Sequence, residues 1–126
     1  MRLLNKTAIV TGAGSGFGAG IARKFAAEGA QVLVADINGE AAQTIATEIN
    51  GMPCMVDVAD GASVQAMADL AIKEMGNVDI IVNNAGVTHL PAPMETVSEP
   101  DFDRVFAVNC KSVYLIARAF NTHMKT

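Results

Sequence analysis

The stretch that decides the fold is TAIVTGAGSGFG, Thr7 to Gly18. A short apolar run, Thr7–Val10, leads directly into glycines at 12, 14, 16 and 18. Helical spacing follows, with Ile21, Ala22, Phe25 and Ala26 on one face and Gly29 as the C-terminal stop. A buried strand, a turn free of bulky side chains and a helix together form a βα unit. Its backbone N–H groups at the positive helix end can approach a phosphate. The generic GxGxxG spacing fails when begun at Gly12, because Phe17 falls at the third glycine. Begun at Gly14 it reads Gly14, Gly16 and Ala19.

Outward from this unit the same alternation repeats. Apolar runs bounded by Gly, Asn or Asp occur at Gln31–Ala35, Cys54–Val58 and Asp79–Val82, and predict strands. Between them, Ala42, Ile45, Ala46 and Ile49 mark one helix face. Val64, Met67, Ala68, Ala71, Ile72 and Met75 mark another. A last helix is expected from Ser98, with Asp101 at the capping-box distance, to about Thr122. The order is β-α-β-α-β-α-β-α. Strands that are apolar throughout, rather than alternating, are covered on both faces, which predicts a doubly wound, Rossmann-type α/β fold with a parallel sheet. The one long irregular piece, Ala85 to Val97 with Pro91 and Pro93, has the length of a functional loop.

At the end of the second predicted strand stands Asp36, 18 residues beyond Gly18. By itself a carboxylate there is a solvated strand end or a cap. Beside a glycine-rich βα turn it is placed to accept hydrogen bonds from an adenosine ribose.

The 126 residues are enough for one domain, taken as 1–126. Apolar residues are 51% and charged residues 17%, which excludes intrinsic disorder. Nine basic against thirteen acidic side chains leave a net charge of −4 with no basic run, which argues against nucleic acid or an anionic membrane as partner. No apolar stretch reaches a membrane span, and the start, MRLLNKTAIVTG, lacks the apolar core of a signal peptide. Cys54 and Cys110 fit no metal spacing, so no metal site is expected and both read as buried small hydrophobes of a reducing compartment. A cytoplasmic location follows as the default.

Four ordered motifs carry a resemblance. TGxxxGxG at Thr11–Gly18, the pair Asp57–Val58, NNAG at Asn83–Gly86 and Asn109 within VNCKS resemble the classical short-chain dehydrogenases/reductases. The resemblance runs from the first strand to the last residue and implies an oxidoreductase passing hydride between a nicotinamide dinucleotide and an alcohol or ketone. It implies that Gly12, Ser15, Gly16, Phe17 and Gly18 contact the pyrophosphate and its ribose. Asp57 and Val58 would hold the adenine edge, and Asn84, Ala85 and Gly86 would pack against the cofactor. Asn109, the polar exception on an apolar stripe of Phe102, Val105, Phe106, Val113, Ile116 and Phe120, becomes the family's catalytic Asn, holding a water in a proton relay. NAD is expected over NADP, because a 2′-phosphate would meet the Asp36 charge. Ser15 stands where NADP-preferring relatives carry a basic residue, and Ile37-Asn38 supply none.

The family also uses a Ser and a Tyr-x-x-x-Lys beyond the Asn helix, and these 126 residues hold neither. Tyr114, the single tyrosine, is followed four residues on by Arg118, whose pKa is too high for the lysine's role. Five residues from Asn109, Tyr114 also falls ~140° around a helix from it, and packing against a neighbouring helix is the expectation. His89, His123, Ser63 and Ser112 show no partnered base or ligand spacing. The fold is therefore read as truncated before its fifth strand. The competing reading is a short, non-catalytic NAD-binding or interaction protein. Family members are commonly tetramers, so a homo-oligomer is expected, and Ile80, Ile81 and Val82 would lie on an exposed sheet edge. Ala85–Lys111 is loosely similar to 3-oxoacyl-carrier-protein reductase and polyol dehydrogenase members, which leaves the substrate open.

Overall fold

The computed structural model describes residues 2–84, 99–100 and 112–125. Its elements are β1 (Thr7–Thr11), α1 (Gly16–Ala27), β2 (Gln31–Asp36), α2 (Gly39–Ile49), β3 (Met52–Met55), α3 (Gly61–Met75), β4 (Ile80–Asn83) and α4 (Ser112–Lys125). The strands form one parallel sheet in the order β3-β2-β1-β4. The order reverses between β1 and β4, and open α/β sheets bind ligands at the carboxyl ends of the strands beside such a reversal.

The unbroken strand hydrophobicity has a direct cause. Successive side chains of β1 and β2 enter opposite layers. Ile9, Leu33 and Ala35 join Val64, Met67, Ala68, Ala71, Ile116 and Phe120 under α3 and α4. Val10, Val32 and Val34 join Ala19, Ala22, Ala42, Ile45 and Ala46 under α1 and α2. Both faces of β1 and β2 are covered, so both parities of these strands are apolar, whereas β3 and β4 are only partly buried. Burying a Val, Leu or Ile side chain is worth roughly 1.5–3 kcal/mol, so these two clusters are the main source of the fold's stability.

The third strand lies earlier than expected. It spans Met52–Met55, pairing Leu33 to Asp36 of β2, and not Cys54–Val58. β2 ends at Asp36, so the chain beyond Met55 has no ladder to continue, apart from one bond from Val56 N–H to the Asp36 carbonyl at 3.0 Å. Val56 and Val58 are apolar because they plug the α3 layer. Pro53 is tolerated because β3 is an edge. Cys54 is half-buried, which pushes its thiol pKa up.

Caps set the helix starts. Asn38 Oδ1 accepts from Ala41 N–H at 3.1 Å, and Asp60 Oδ1 accepts from Ala62 N–H at 3.1 Å. Of the expected last helix, residues 99–100 and Ser112 onward are described. Ser98, Asp101, Cys110 and the stripe from Phe102 to Asn109 lie outside the described residues, as do His89 and Pro91 to Pro93. Tyr114 corrects an expectation: it is exposed, not packed on a neighbouring helix, and Arg118 Nη1 donates to its hydroxyl at 3.5 Å, one turn along.

At the amino ends of the strands, Asp79 ties β4 to β1. Its Oδ2 accepts from Thr7 N–H at 2.9 Å and its Oδ1 from Asn77 Nδ2 at 2.9 Å, while the Thr7 hydroxyl donates to the Asn77 carbonyl. The Thr7 backbone bond is the main cause that holds the Asp79 carboxyl below the usual aspartate range. Among the described residues no helix is long and apolar enough to cross a membrane.

Candidate functional site

Gly12, Ser15, Gly16, Phe17, Gly18, Asp36, Asp57, Val58 and Asn84 all come to the carboxyl edge of the sheet, drawn there from β1, β2, β3 and β4 by the parallel topology. Ala85, Gly86 and Asn109 lie outside the described residues.

The turn after β1 is built so that helix and strand nearly touch. A Cβ added at Gly18 would stand 2.1 Å from the Gly12 carbonyl oxygen and 2.6 Å from Asn84 Nδ2. Hydrogen is therefore the only side chain that fits. Asn84 Nδ2 donates to that same Gly12 oxygen at 3.4 Å. Gly16 takes φ +59°, the left-handed region that glycine enters without cost, and carries the chain from Ser15 into α1. Below the turn, Thr11 is fully buried, with its Oγ1 3.1 Å from Asn83 Oδ1.

The start of α1 differs from those of α2 and α3. Ser15 occupies the N-cap position in extended conformation, yet its side chain makes no cap bond. Among the described residues, the N–H groups of Ser15, Gly16, Phe17 and Gly18 have no protein acceptor. A helix whose first N–H groups point outward at the positive end of its dipole can hold an anion. Phe17 is 81% exposed at this point, so its backbone and not its packing serves the turn.

Asp36 closes the other side. One carboxylate oxygen accepts from Gly14 N–H at 2.9 Å, and the other from Asn38 N–H at 2.9 Å. The turns after β1 and β2 are thus joined through one carboxylate. Gly14 is pressed into this joint, since a Cβ there would lie 2.8 Å from Ala41 Cβ and 2.9 Å from Asp36 Oδ2. An ionised carboxylate offers about four acceptor sites, so two remain for hydroxyl donors.

Beyond β3, Asp57 faces solvent while Val56 and Val58 turn inward. Asp57 Oδ1 accepts from Ala59 N–H at 3.0 Å, its carbonyl accepts from Asp60 N–H at 3.0 Å, and its own N–H donates to Ser63 Oγ at 2.9 Å. Among the described residues, Asp57 Oδ2 and the Val58 N–H have no partner. One free acceptor beside one free donor matches the edge of an adenine, which presents a donor amine next to an acceptor ring nitrogen.

Taken together, a row of N–H donors, a carboxylate with spare acceptors and a donor–acceptor pair lie along one edge of the sheet. That order of groups has the chemistry to meet a diphosphate, a ribose diol and an adenine. The motif reading missed two parts of this arrangement, the Gly14–Asp36 bond and the Ser63–Asp57 bond. The spacing Asp60-x-x-Ser63 would have predicted a bond from Ser63 to the N-cap N–H of Asp60, but that N–H goes to the Asp57 carbonyl and Ser63 reaches the Asp57 N–H instead. Among the described residues no group of His, Cys, Asp or Glu could hold a metal ion.

Comparison with known proteins gives one consistent answer. The family model for short chain dehydrogenase matches residues 6–126. The chain is 52% identical to a 4-formylbenzenesulfonate dehydrogenase of Comamonas testosteroni, over 98% of this chain and 51% of that protein. It is 43% identical to a D-threitol dehydrogenase of Mycolicibacterium smegmatis, over 98% of this chain and 49% of the other. The crystal structure of a 3-ketoacyl-(acyl-carrier-protein) reductase from Brucella melitensis, complexed with NADH, superposes with a TM-score of 0.95 at 42% identity. That match covers 98% of this chain and 52% of the reductase. The chain thus spans about half the length of the curated relatives it matches.

Proposed function

The chain belongs to the short-chain dehydrogenase family, and from that membership we propose that it forms the dinucleotide-binding part of an NAD-dependent oxidoreductase acting on an alcohol or ketone. Its relatives are dehydrogenases and reductases, so the chemistry of the family is oxidoreduction. NAD, when bound, supplies the carbon that accepts or gives up hydride.

The chain's own residues bind and orient. Ser15 to Gly18 offer N–H groups to the pyrophosphate, with Gly12 and Gly18 keeping the approach open. Asp36 accepts from the adenosine ribose through the oxygens' spare lone pairs. Asp57 and the Val58 N–H take the adenine edge, and Asn84, Ala85 and Gly86 line the cofactor's inner side. Asn109 holds a water in the proton relay of the catalytic centre. The small-molecule substrate is a carbonyl or alcohol whose identity lies with residues other than these. These 126 residues hold no Tyr-x-x-x-Lys, and pure material of this length is expected to bind the dinucleotide without turning substrate over.

The single observation that carries the NAD preference is the Asp36 carboxylate, held by Gly14 and Asn38 with no cationic side chain at Ser15, Ile37 or Asn38. A 2′-phosphate would face a fixed negative charge with nothing to offset it. Fluorescence titration of the chain with NADH and NADPH tests this. Tighter NADH binding is expected, and equal or tighter NADPH binding overturns it.

A further inference from the structure

Ser63 is the third residue of α3 and lies in no motif that marks the family resemblance. Its hydroxyl oxygen accepts the Asp57 N–H at 2.9 Å. We propose that Ser63 is a positioning residue that fixes Asp57 and Val58 for reading the adenine of the cofactor. The inference rests on the adenine reading given above and adds a residue to it.

The geometry supports this in three steps. The ladder to β2 ends at Met55, and after the Val56 bond to Asp36 no strand neighbour holds the chain. The segment that presents Asp57 Oδ2 and the Val58 N–H is therefore held by its own local bonds and by the buried side chains of Val56 and Val58 on either side of Asp57. Two of these, from Ala59 N–H and Asp60 N–H, arise within the turn and move with it. Among the described residues, the Ser63 bond alone ties the Asp57 N–H to a long helix, one whose Val64, Met67 and Ala68 are buried in the core.

Without that acceptor the Asp57 N–H loses its partner on α3, and the donor and acceptor facing the base are held less firmly in their shared orientation. The helix keeps its own start, because Asp60 caps it independently through Ala62 N–H. The effect is thus directed at the ligand more than at the fold. It is also directed at one end of the ligand, since the α1 turn and Asp36 do not touch Ser63.

Isothermal titration of the chain with ADP, and fluorescence titration with reduced nicotinamide mononucleotide, read the two ends separately. Ser63→Ala is expected to raise the Kd for ADP about five-fold, the loss of part of one hydrogen bond. Binding of the mononucleotide, which has no adenine, is expected to stay within about two-fold, and Ser63→Thr, which keeps the hydroxyl, to restore ADP binding. Circular dichroism checks that each variant is folded. If Ser63→Ala does not fold, Ser63→Asn, which keeps an acceptor displaced by one carbon, carries the same expectation. Equal loss of both ligands, or no loss of ADP, overturns the proposal. Asp57→Ala separates the causes: if it weakens ADP while Ser63→Ala does not, only the role of Ser63 fails. If neither variant matters, or the unaltered chain does not bind ADP, the adenine reading fails and the role of Ser63 with it.

Discussion

The carboxylate of Asp36 lies 2.9 Å from the backbone nitrogen of Gly14, so the end of β2 and the turn after β1 are one hydrogen-bonded unit. A residue expected to select the cofactor is therefore also part of what shapes the phosphate turn. Asp36→Ala removes the acceptors of both Gly14 and Asn38. It is expected to weaken NADH binding by about ten-fold or more and to lower stability by about 1–2 kcal/mol. NADPH affinity should not rise in compensation, since no cation is introduced. Paired NADH and NADPH titrations with a urea melt check this. A clean switch to NADPH with unchanged stability would contradict the shared role.

Two glycines of α1 should respond in opposite ways. At Gly18 an added methyl meets the Gly12 carbonyl at 2.1 Å, and neither backbone can withdraw without moving β1. Gly18→Ala is expected to cost about 3 kcal/mol and to abolish dinucleotide binding. At Gly20 nothing lies within 4 Å, so Gly20→Ala should raise stability by about 0.5–1 kcal/mol through helix propensity. Chemical denaturation of the two variants side by side is the check.

Acid should loosen the β1–β4 joint. The Asp79 carboxyl is held below its ordinary value of 3.8 by Thr7 and, to a lesser degree, Asn77 and Lys6. A lowered folded-state pKa means that its contribution is fully present above the unfolded value and is lost as pH falls through the folded one. Glu28 and Glu48 are lowered too, by Arg2 and Lys24 and by Arg23 respectively, and fade in the same acid range. The comparison of the unaltered chain with Asp79→Asn isolates the aspartate. Their thermal midpoints should differ most near pH 7 and converge below about pH 4. A gap independent of pH would refute the assignment.

Among the described residues, β4 pairs with β1 and has no second strand neighbour. Exposed sheet edges invite pairing with another chain. The chain is expected to self-associate at tens of micromolar or above, an order-of-magnitude range for weak contacts of this kind. Ile80→Lys, at a position of β4 outside both core clusters, should shift it toward monomer by placing a charge on that strand. Sedimentation velocity over a concentration series decides, and a single monomeric species throughout counts against it.

Much of this architecture is legible in the amino-acid sequence, for reasons that differ by element. β1 and β2 were legible because both parities of Thr7–Val10 and Gln31–Ala35 are buried in two layers. α2 and α3 were legible from apolar spacing alone. β3 was misplaced because Val56 and Val58 are hydrophobic for the sake of α3, and hydrophobicity does not say which neighbour a side chain meets. Strand register depends on where β2 stops, a property of another part of the chain. Tyr114 was misjudged because its helix face is set by tertiary packing around Ile116 and Phe120. In the site, single-residue roles at Gly16, Gly18 and Asp36 followed from turn chemistry. The bonds that join distant turns, Gly14 with Asp36 and Thr7 with Asp79, leave no local pattern to detect.

The candidate site takes its groups from the ends of β1, β2 and β4, the start of α1 and the loop before α3. A molecule seated along it would act as a tie between segments otherwise joined by a few backbone-length bonds. Occupancy then adds to stability by mass action, about 2.7 kcal/mol at a ligand concentration one hundred times its Kd. A rise in the melting temperature of this chain with added dinucleotide would therefore report binding. A dinucleotide seated there would thus hold five segments of the fold in place as well as supply the reacting carbon.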